Sequence, residues 1–221
     1  MNPSLIDPFL VLALLINFFV LGVSRLRLLI IAVAIQGAML GVLYPPAHAG
    51  LFQLSPPALA RLLVLTVSII CLKGWLIPKF LFKAMLLADM KSSVTSIIGF
   101  VPTLVLGGIA TAGSLVFAGR LPLPDDQLSH LLIPAALATV LSGYLMLITR
   151  REALAQVLGY IVLENGIFIF GLLLIEAVPV LVELGIVLDL FVGVFVMGII
   201  INHVSRAFPE ASTEHLASLK E

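Results

Sequence analysis

Cysteine is almost absent. Cys71 is the one cysteine in 221 residues, and it sits inside an apolar run. That excludes a disulfide framework, and any cysteine-ligated zinc or iron–sulfur site, within the chain. Charge is scarce as well. Only 11% of residues are Asp, Glu, Lys or Arg, where a soluble domain has roughly 25%. The 12 basic and 12 acidic residues cancel, so no net field draws the chain to nucleic acid. The histidines, His48, His130, His203 and His215, lie far apart, and no pair has the spacing of a metal or haem site on one helix. The opening residues, Met-Asn-Pro-Ser-Leu-Ile-Asp-Pro-Phe, contain no basic stretch. A cleaved signal peptide is therefore not expected, and the first apolar run reads as a retained span.

Apolar length is what the sequence has in abundance. Hydrophobic residues make up 61% of the chain, and the mean hydropathy is +1.22. A helix needs about 20 mainly apolar residues to cross a bilayer. Seven stretches qualify: 6–24, 28–44, 59–77, 94–118, 130–149, 154–175 and 180–203. The expected fold class is an all-α integral membrane protein with seven transmembrane helices. Pro134 is expected to kink the fifth near its start.

The loops set an orientation. One set of segments holds Arg25, Arg27, Lys79, Lys83, Lys91, Arg150, Arg151, Arg206 and Lys220, and the opposite set holds Arg61 and Arg120. This asymmetry puts the basic set in the cytoplasm, the N-terminus outside and the C-terminus inside. The outer loop 45–57 is proline-rich and reads as irregular. The inner segment 78–93 carries Lys79 and Lys83 at i, i+4 spacing in an apolar context. It fits either an interfacial amphipathic helix or a kinked continuation of the third span past Pro78. Four helices with that connector thus occupy 1–127, three more occupy 128–208, and 209–221 is a polar cytoplasmic tail.

Two acids interrupt the last two spans. Glu164 lies within Gly-Tyr-Ile-Val-Leu-Glu-Asn-Gly-Ile-Phe, and Asp189 within Leu-Gly-Ile-Val-Leu-Asp-Leu-Phe-Val-Gly. An ionisable group at mid-membrane costs about 2.5–3.5 kcal/mol even on the mildest insertion scale. At 1.5 Å per residue both acids lie roughly 15 Å deep. The short connector from Glu176 to Pro179 makes the two helices antiparallel neighbours. Burial raises a carboxyl pKa and a nearby cation lowers it, so a modest change of surroundings loads or releases a proton. The bland alternative is a protonated acid that hydrogen-bonds a neighbouring helix. Asn165 fits either reading, since its amide can hold a helix or orient a water.

Lys73, in Ile-Cys-Leu-Lys-Gly-Trp, is the third candidate. It either snorkels to the inner face or tunes a nearby acid. Glu183 lies about 240° around its helix from Asp189, as an outer-end entry group or a snorkelling acid. His203, at the inner end of the same helix, is a candidate proton exit or an interfacial residue. Gly37 and Gly41 form a helix-packing signal too common to carry functional weight.

The last third resembles a known pattern. It has a span entering from outside, the pair Arg150–Arg151, a span with central Glu164, and a span with Asp189 followed by Gly193. This is similar to the K-type subunit of respiratory complex I and the C subunit of Mrp-type antiporters. The third-helix acid of that family is usually Glu, and the arginine pair lies about one turn farther from Glu164 than the pattern leads one to expect. With extra helices ahead of such a unit and a Leu-Glu-Asn segment, the chain resembles the hydrogenase-4 component E family. That family belongs to the membrane arm of group 4 nickel–iron hydrogenases of formate-hydrogenlyase type.

The resemblance implies a proton-relay role for Glu164 and Asp189, with Lys73, His203 and Glu183 as weaker members and Asn165, Arg150, Arg151 and Gly193 in support. It implies no metal and no cofactor on this chain, and a nickel–iron centre and iron–sulfur clusters in its partners. Those partners are antiporter-like membrane subunits, an H-type anchoring subunit and peripheral hydrogenase subunits, in a prokaryotic plasma (inner) membrane. Two rivals use the same residues: a subunit of a cation/proton antiporter, and a structural spacer between larger subunits.

Overall fold

A computed structural model describes residues 3–47, 55–87, 94–121, 130–174, 184–185 and 198. The described part is all-helical, and its one β-bridge pairs Ser96 with Arg150. The helices are α1 (Pro3–Gly22), α2 (Leu26–Leu43), α3 (Pro56–Ile69), a π-helical segment (Ile70–Leu76), α4 (Ile77–Leu87), α5 (Phe100–Ala118), α6 (Leu132–Thr149) and α7 (Ala153–Leu174). Apart from α4, which lies in the 78–93 connector, they fall on six of the seven expected apolar stretches. The seventh, 180–203, lies outside the described residues apart from 184, 185 and 198.

Local chemistry sets the helix ends. Pro56 and Pro57 open α3, where a missing N–H removes no helical hydrogen bond. Pro134 sits in the first turn of α6 for the same reason. Pro78 does not stop its helix: α3, the π segment and α4 run on as one apolar helix, Pro56–Leu86, of 31 residues. The connector is therefore a helical continuation as far as Leu87, and 88–93 lie outside the described residues. Among the described residues, five helices are long and apolar enough to cross a membrane, and α1 contributes a shorter apolar stretch, Ile6–Gly22.

One expected span needs correction. Residues 94–99 are not helical, and α5 begins at Phe100. Gly99 adopts φ 89°, which ends any continuation from upstream. The preceding residues lie across two helix ends instead. Val94 N–H donates to the Ser24 carbonyl at 2.6 Å and Ile97 N–H to the Thr149 carbonyl at 2.8 Å.

The apolar core comes in two parts. One gathers Val20, Leu21, Leu29, Ile30, Leu81, Met146, Leu158 and Val162, among others. The other gathers Leu10, Ala13, Leu40, Leu43, Ile69, Ala135, Ala136, Phe168 and Ile169. On the helices that feed both, a buried polar residue lies at or near the switch from one contribution to the other: Asn17, Gln36, Thr139, and Glu164 with Asn165; Lys73 lies between the contributions of α3 and α4. A polar layer thus crosses the bundle between two apolar slabs.

Helices α6 and α7 pack backbone to backbone. A methyl group built on Gly166 would lie 2.5 Å from the Val140 nitrogen, and one on Gly143 would collide with the Leu163 nitrogen. Small residues allow this approach where no hydrophobic force drives helices together in lipid. Gly143→Ala should lower stability by about 1–3 kcal/mol through overpacking. Gly108→Ala, which meets nothing within 4 Å, should change it by less than about 0.5 kcal/mol. Thermal unfolding of the two variants in detergent checks the contrast.

Candidate functional site

Glu164 lies midway along α7 and is 3% exposed; Lys73 is 4% exposed. The lysine does not snorkel outward. Its Nζ meets Glu164 Oε1 at 2.8 Å, donates to Asn165 Oδ1 at 3.2 Å and lies 5.5 Å from the centre of the Phe168 ring. Glu164 and Phe168 share one face of α7 as an i, i+4 pair.

Two local features bring the lysine there. The first is the π segment, in which each inserted residue rotates the downstream helix by about 100°. The second is the small-residue face of α2. A methyl on Gly37 would lie 2.7 Å from Lys73 Cβ, and one on Gly41 would lie 2.5 Å from Ile70 Cγ1. The glycine pair that reads as a common packing signal is what lets the lysine-bearing segment lie against α2.

Beyond the ion pair, hydrogen bonds continue in one direction. Asn165 Nδ2 donates to Gln36 Oε1 at 3.2 Å, and Gln36 Nε2 donates to Asn17 Oδ1 at 2.9 Å. Asn17 Nδ2 donates to Thr139 Oγ1 at 2.8 Å, and the Thr139 hydroxyl donates to the Ala135 carbonyl at 2.7 Å. Gln36, Thr139 and Asn165 are fully buried, and Asn17 is 1% exposed. Glu164 Oε2 is buried with no hydrogen-bond partner among the described residues. Asn17, Gln36 and Thr139 are site residues that a search for charge passes over. Amides inside Leu-Ile-Asn-Phe-Phe and Ala-Ile-Gln-Gly-Ala are their visible signal.

Arg150 and Arg151 are not a matched loop pair. Arg151 is exposed, whereas Arg150 is fully buried at the C-terminal end of α6. Its Nη2 donates to the carbonyls of Val20 (3.1 Å) and Leu21 (2.8 Å), and its guanidinium lies 4.6 Å from the centre of the Phe100 ring. The cation satisfies carbonyls left free at the end of α1, where helix dipoles favour positive charge. Burial lowers its pKa, which the nearby Glu152 partly offsets. Glu152 Oε1 accepts from Thr95 N–H at 2.8 Å and from the Thr95 hydroxyl at 2.7 Å. Desolvation works to raise the Glu152 pKa, but the Thr95 hydrogen bonds and the Arg150 charge hold it below the usual range.

Asp189, Glu183, His203 and Gly193 lie outside the described residues. Among the described residues no group of three His, Cys, Asp or Glu is placed to hold a metal ion.

Comparison with known proteins adds two likenesses. Over 165 residues the chain is 28% identical to the uncharacterised protein Rv0085 of Mycobacterium tuberculosis, covering 72% of this chain and 73% of that protein. Over 88 residues it is 33% identical to hydrogenase-4 component E of Escherichia coli K12, covering 40% of this chain and 41% of component E. Component E of Shigella flexneri matches to the same extent. The matched stretch is thus less than half of either component E chain. No protein-family model and no solved structure matches the chain.

Two variants probe the stability of these contacts. Lys73→Met strands a buried carboxylate and should cost about 3–5 kcal/mol, and adding Glu164→Leu should recover much of it. Denaturant unfolding of the single and double variants measures this. Glu152 is deprotonated more readily in the folded state than in the unfolded state. Its contribution is therefore fully present above its ordinary pKa of 4.5 and fades as pH falls through its lower folded value. Glu152→Gln should flatten the acid limb of the stability–pH curve, and an unchanged limb would count against the Thr95 contact.

Proposed function

We propose that the chain is a non-redox membrane-arm subunit of an energy-converting, hydrogenase-type complex, in which Glu164 and Lys73 belong to a proton path. The observation that carries this is the buried Lys73–Glu164 pair at one end of a buried row of polar side chains. Ionisable groups inside membrane helices are rare, face protein interiors, and mark ion and proton pathways. The component E likeness supplies the complex.

In this reading the chain crosses a prokaryotic plasma membrane seven times, N-terminus outside. Residues 1–127 provide four spans and 128–208 a K-like unit of three. Antiporter-like subunits, an H-type anchoring subunit and peripheral hydrogenase subunits are its partners, and the nickel–iron and iron–sulfur centres belong to those partners. Asp189, Glu183 and His203 extend the path along the last span.

The chemistry required of the pair is simple. A proton arriving at Glu164 Oε2, the oxygen that Lys73 does not hold, neutralises the carboxylate. Lys73 then loses its counter-charge inside a low-dielectric layer, where that attraction is strongest. Release of the proton restores the pair. The carboxyl is thereby coupled to any neighbouring charge that competes for the ammonium.

Glu164→Gln in the assembled complex should cut proton movement by about 10²-fold or to background while leaving complex abundance normal. Normal proton movement at normal abundance sinks the relay. Copurification of a nickel–iron large subunit supports the hydrogenase assignment, and a complex built only of antiporter subunits overturns it.

A further inference from the structure

Hydrogen-bond sense is informative in the polar layer because its first member has no choice. A lysine ammonium donates and cannot accept. Lys73 therefore fixes the carbonyl end of Asn165 toward itself, leaving the Asn165 NH₂ to donate to Gln36 Oε1. That orients Gln36, whose NH₂ donates to Asn17 Oδ1, and Asn17 in turn donates to Thr139. The Thr139 hydroxyl has a single hydrogen, and it goes to the Ala135 backbone carbonyl. Every donor points away from the ammonium, across four helices and the π segment, and the row ends on a group that only accepts.

Such a row is poorly suited to carry protons. Amide nitrogens donate without titrating, and the terminal carbonyl has nothing to pass on. It is well suited to hold a cation. Each amide polarises the next toward Lys73, so hydrogen bonds in series reinforce one another. Reversing any one of them would face two donors or two acceptors across a buried contact, at a cost of about 1–3 kcal/mol.

We propose that Asn17, Gln36 and Thr139 are positioning residues. They lock the Asn165 amide so that its carbonyl and Glu164 hold Lys73 together, and the amide row itself conducts no proton. Protons exchange at Glu164 Oε2, the carboxylate oxygen outside the row. Among the described residues Lys73 is the charged group that meets Glu164. Helices α1, α2 and α6 contribute the neutral Asn17, Gln36 and Thr139 to the row, and Tyr44 stands behind Phe168 with ring centres 6.3 Å apart. The exchange at Oε2 rests on Glu164 being a proton carrier; the holding role does not.

The test is an infrared titration of the full chain in lipid nanodiscs. It reads the protonated-carboxyl stretch of Glu164, identified by its loss in Glu164→Gln. In Gln36→Met, which keeps the volume and removes both hydrogen bonds, the protonation midpoint should move up by about one pH unit. Thr139→Val, isosteric and at the far end, should move it less in the same direction, and Thr139→Ser should return it to the wild-type value. Should Gln36→Met fail to fold, the Thr139 pair decides. Midpoints that stay at the wild-type value in Gln36→Met and Thr139→Val overturn the holding role. Proton movement in the assembled complex that stops in Gln36→Met as fully as in Glu164→Gln overturns the claim that the row does not conduct. Normal proton movement in Glu164→Gln would end the relay reading alone, and the midpoint shifts would still stand or fall separately.

Discussion

Lys73 and Glu164 are two charges that neither water nor the bundle's apolar slabs can stabilise, and much of the structure is arranged around that fact. Taking a carboxylate and an ammonium out of water costs several kcal/mol each, and only close pairing with further hydrogen bonds offsets it. The 2.8 Å contact supplies the pairing. Asn165, Gln36, Asn17 and Thr139 supply the rest, drawn from every helix that borders the layer. Helix positions are set by the same need. The π turn aims Lys73, the α2 glycines admit it, and the glycines of α6 and α7 bring Thr139 and Glu164 onto two closely packed backbones.

The second buried cation solves the same problem differently. Arg150 meets no carboxylate at ion-pair distance among the described residues. It leans on the carbonyls that end α1 and on the face of Phe100. A planar guanidinium suits this, since its fork reaches two carbonyls while its face stacks on a ring. Backbone carbonyls and an aromatic face do not titrate, so this contact is fixed, whereas the Lys73 partner can gain a proton. One cation fastens helix ends together; the other sits opposite a group whose charge can change.

Much of the fold can be read from hydropathy, because apolar runs of membrane length leave few alternatives to helices. Glu164, Lys73 and Asn165 stand out individually as polar residues in apolar runs. Their meeting does not. Lys73 and Asn165 are 92 residues apart, and the face Lys73 presents depends on a π turn that a 3.6-residue period does not reveal. Arg150 looks like a loop cation in the sequence because its partners are backbone carbonyls, which carry no sequence signal. Residues 94–99 look like the start of a span because Val94, Ile97 and Ile98 are apolar; Gly99 and the Thr95–Glu152 contact override that pattern. Asn17 and Gln36 are visible but uncharged, and their weight comes from the row they join.

The separation of the layer's members along the chain bears on how the protein is made. Asn17, Gln36 and Lys73 are synthesised and delivered to the bilayer well before α7 emerges from the ribosome. Until Glu164 and Asn165 arrive, the lysine has neither counter-charge nor acceptor, and Gln36 lacks its donor from Asn165. The early helices must wait in a half-satisfied state, with their polar groups turned to water, to the insertion machinery or to one another. Arrival of α7 supplies both missing partners and satisfies the layer in a single step. Glu164 thus has a second claim on the molecule: with Asn165 it brings the partners that the polar groups of the preceding helices lack until α7 is inserted.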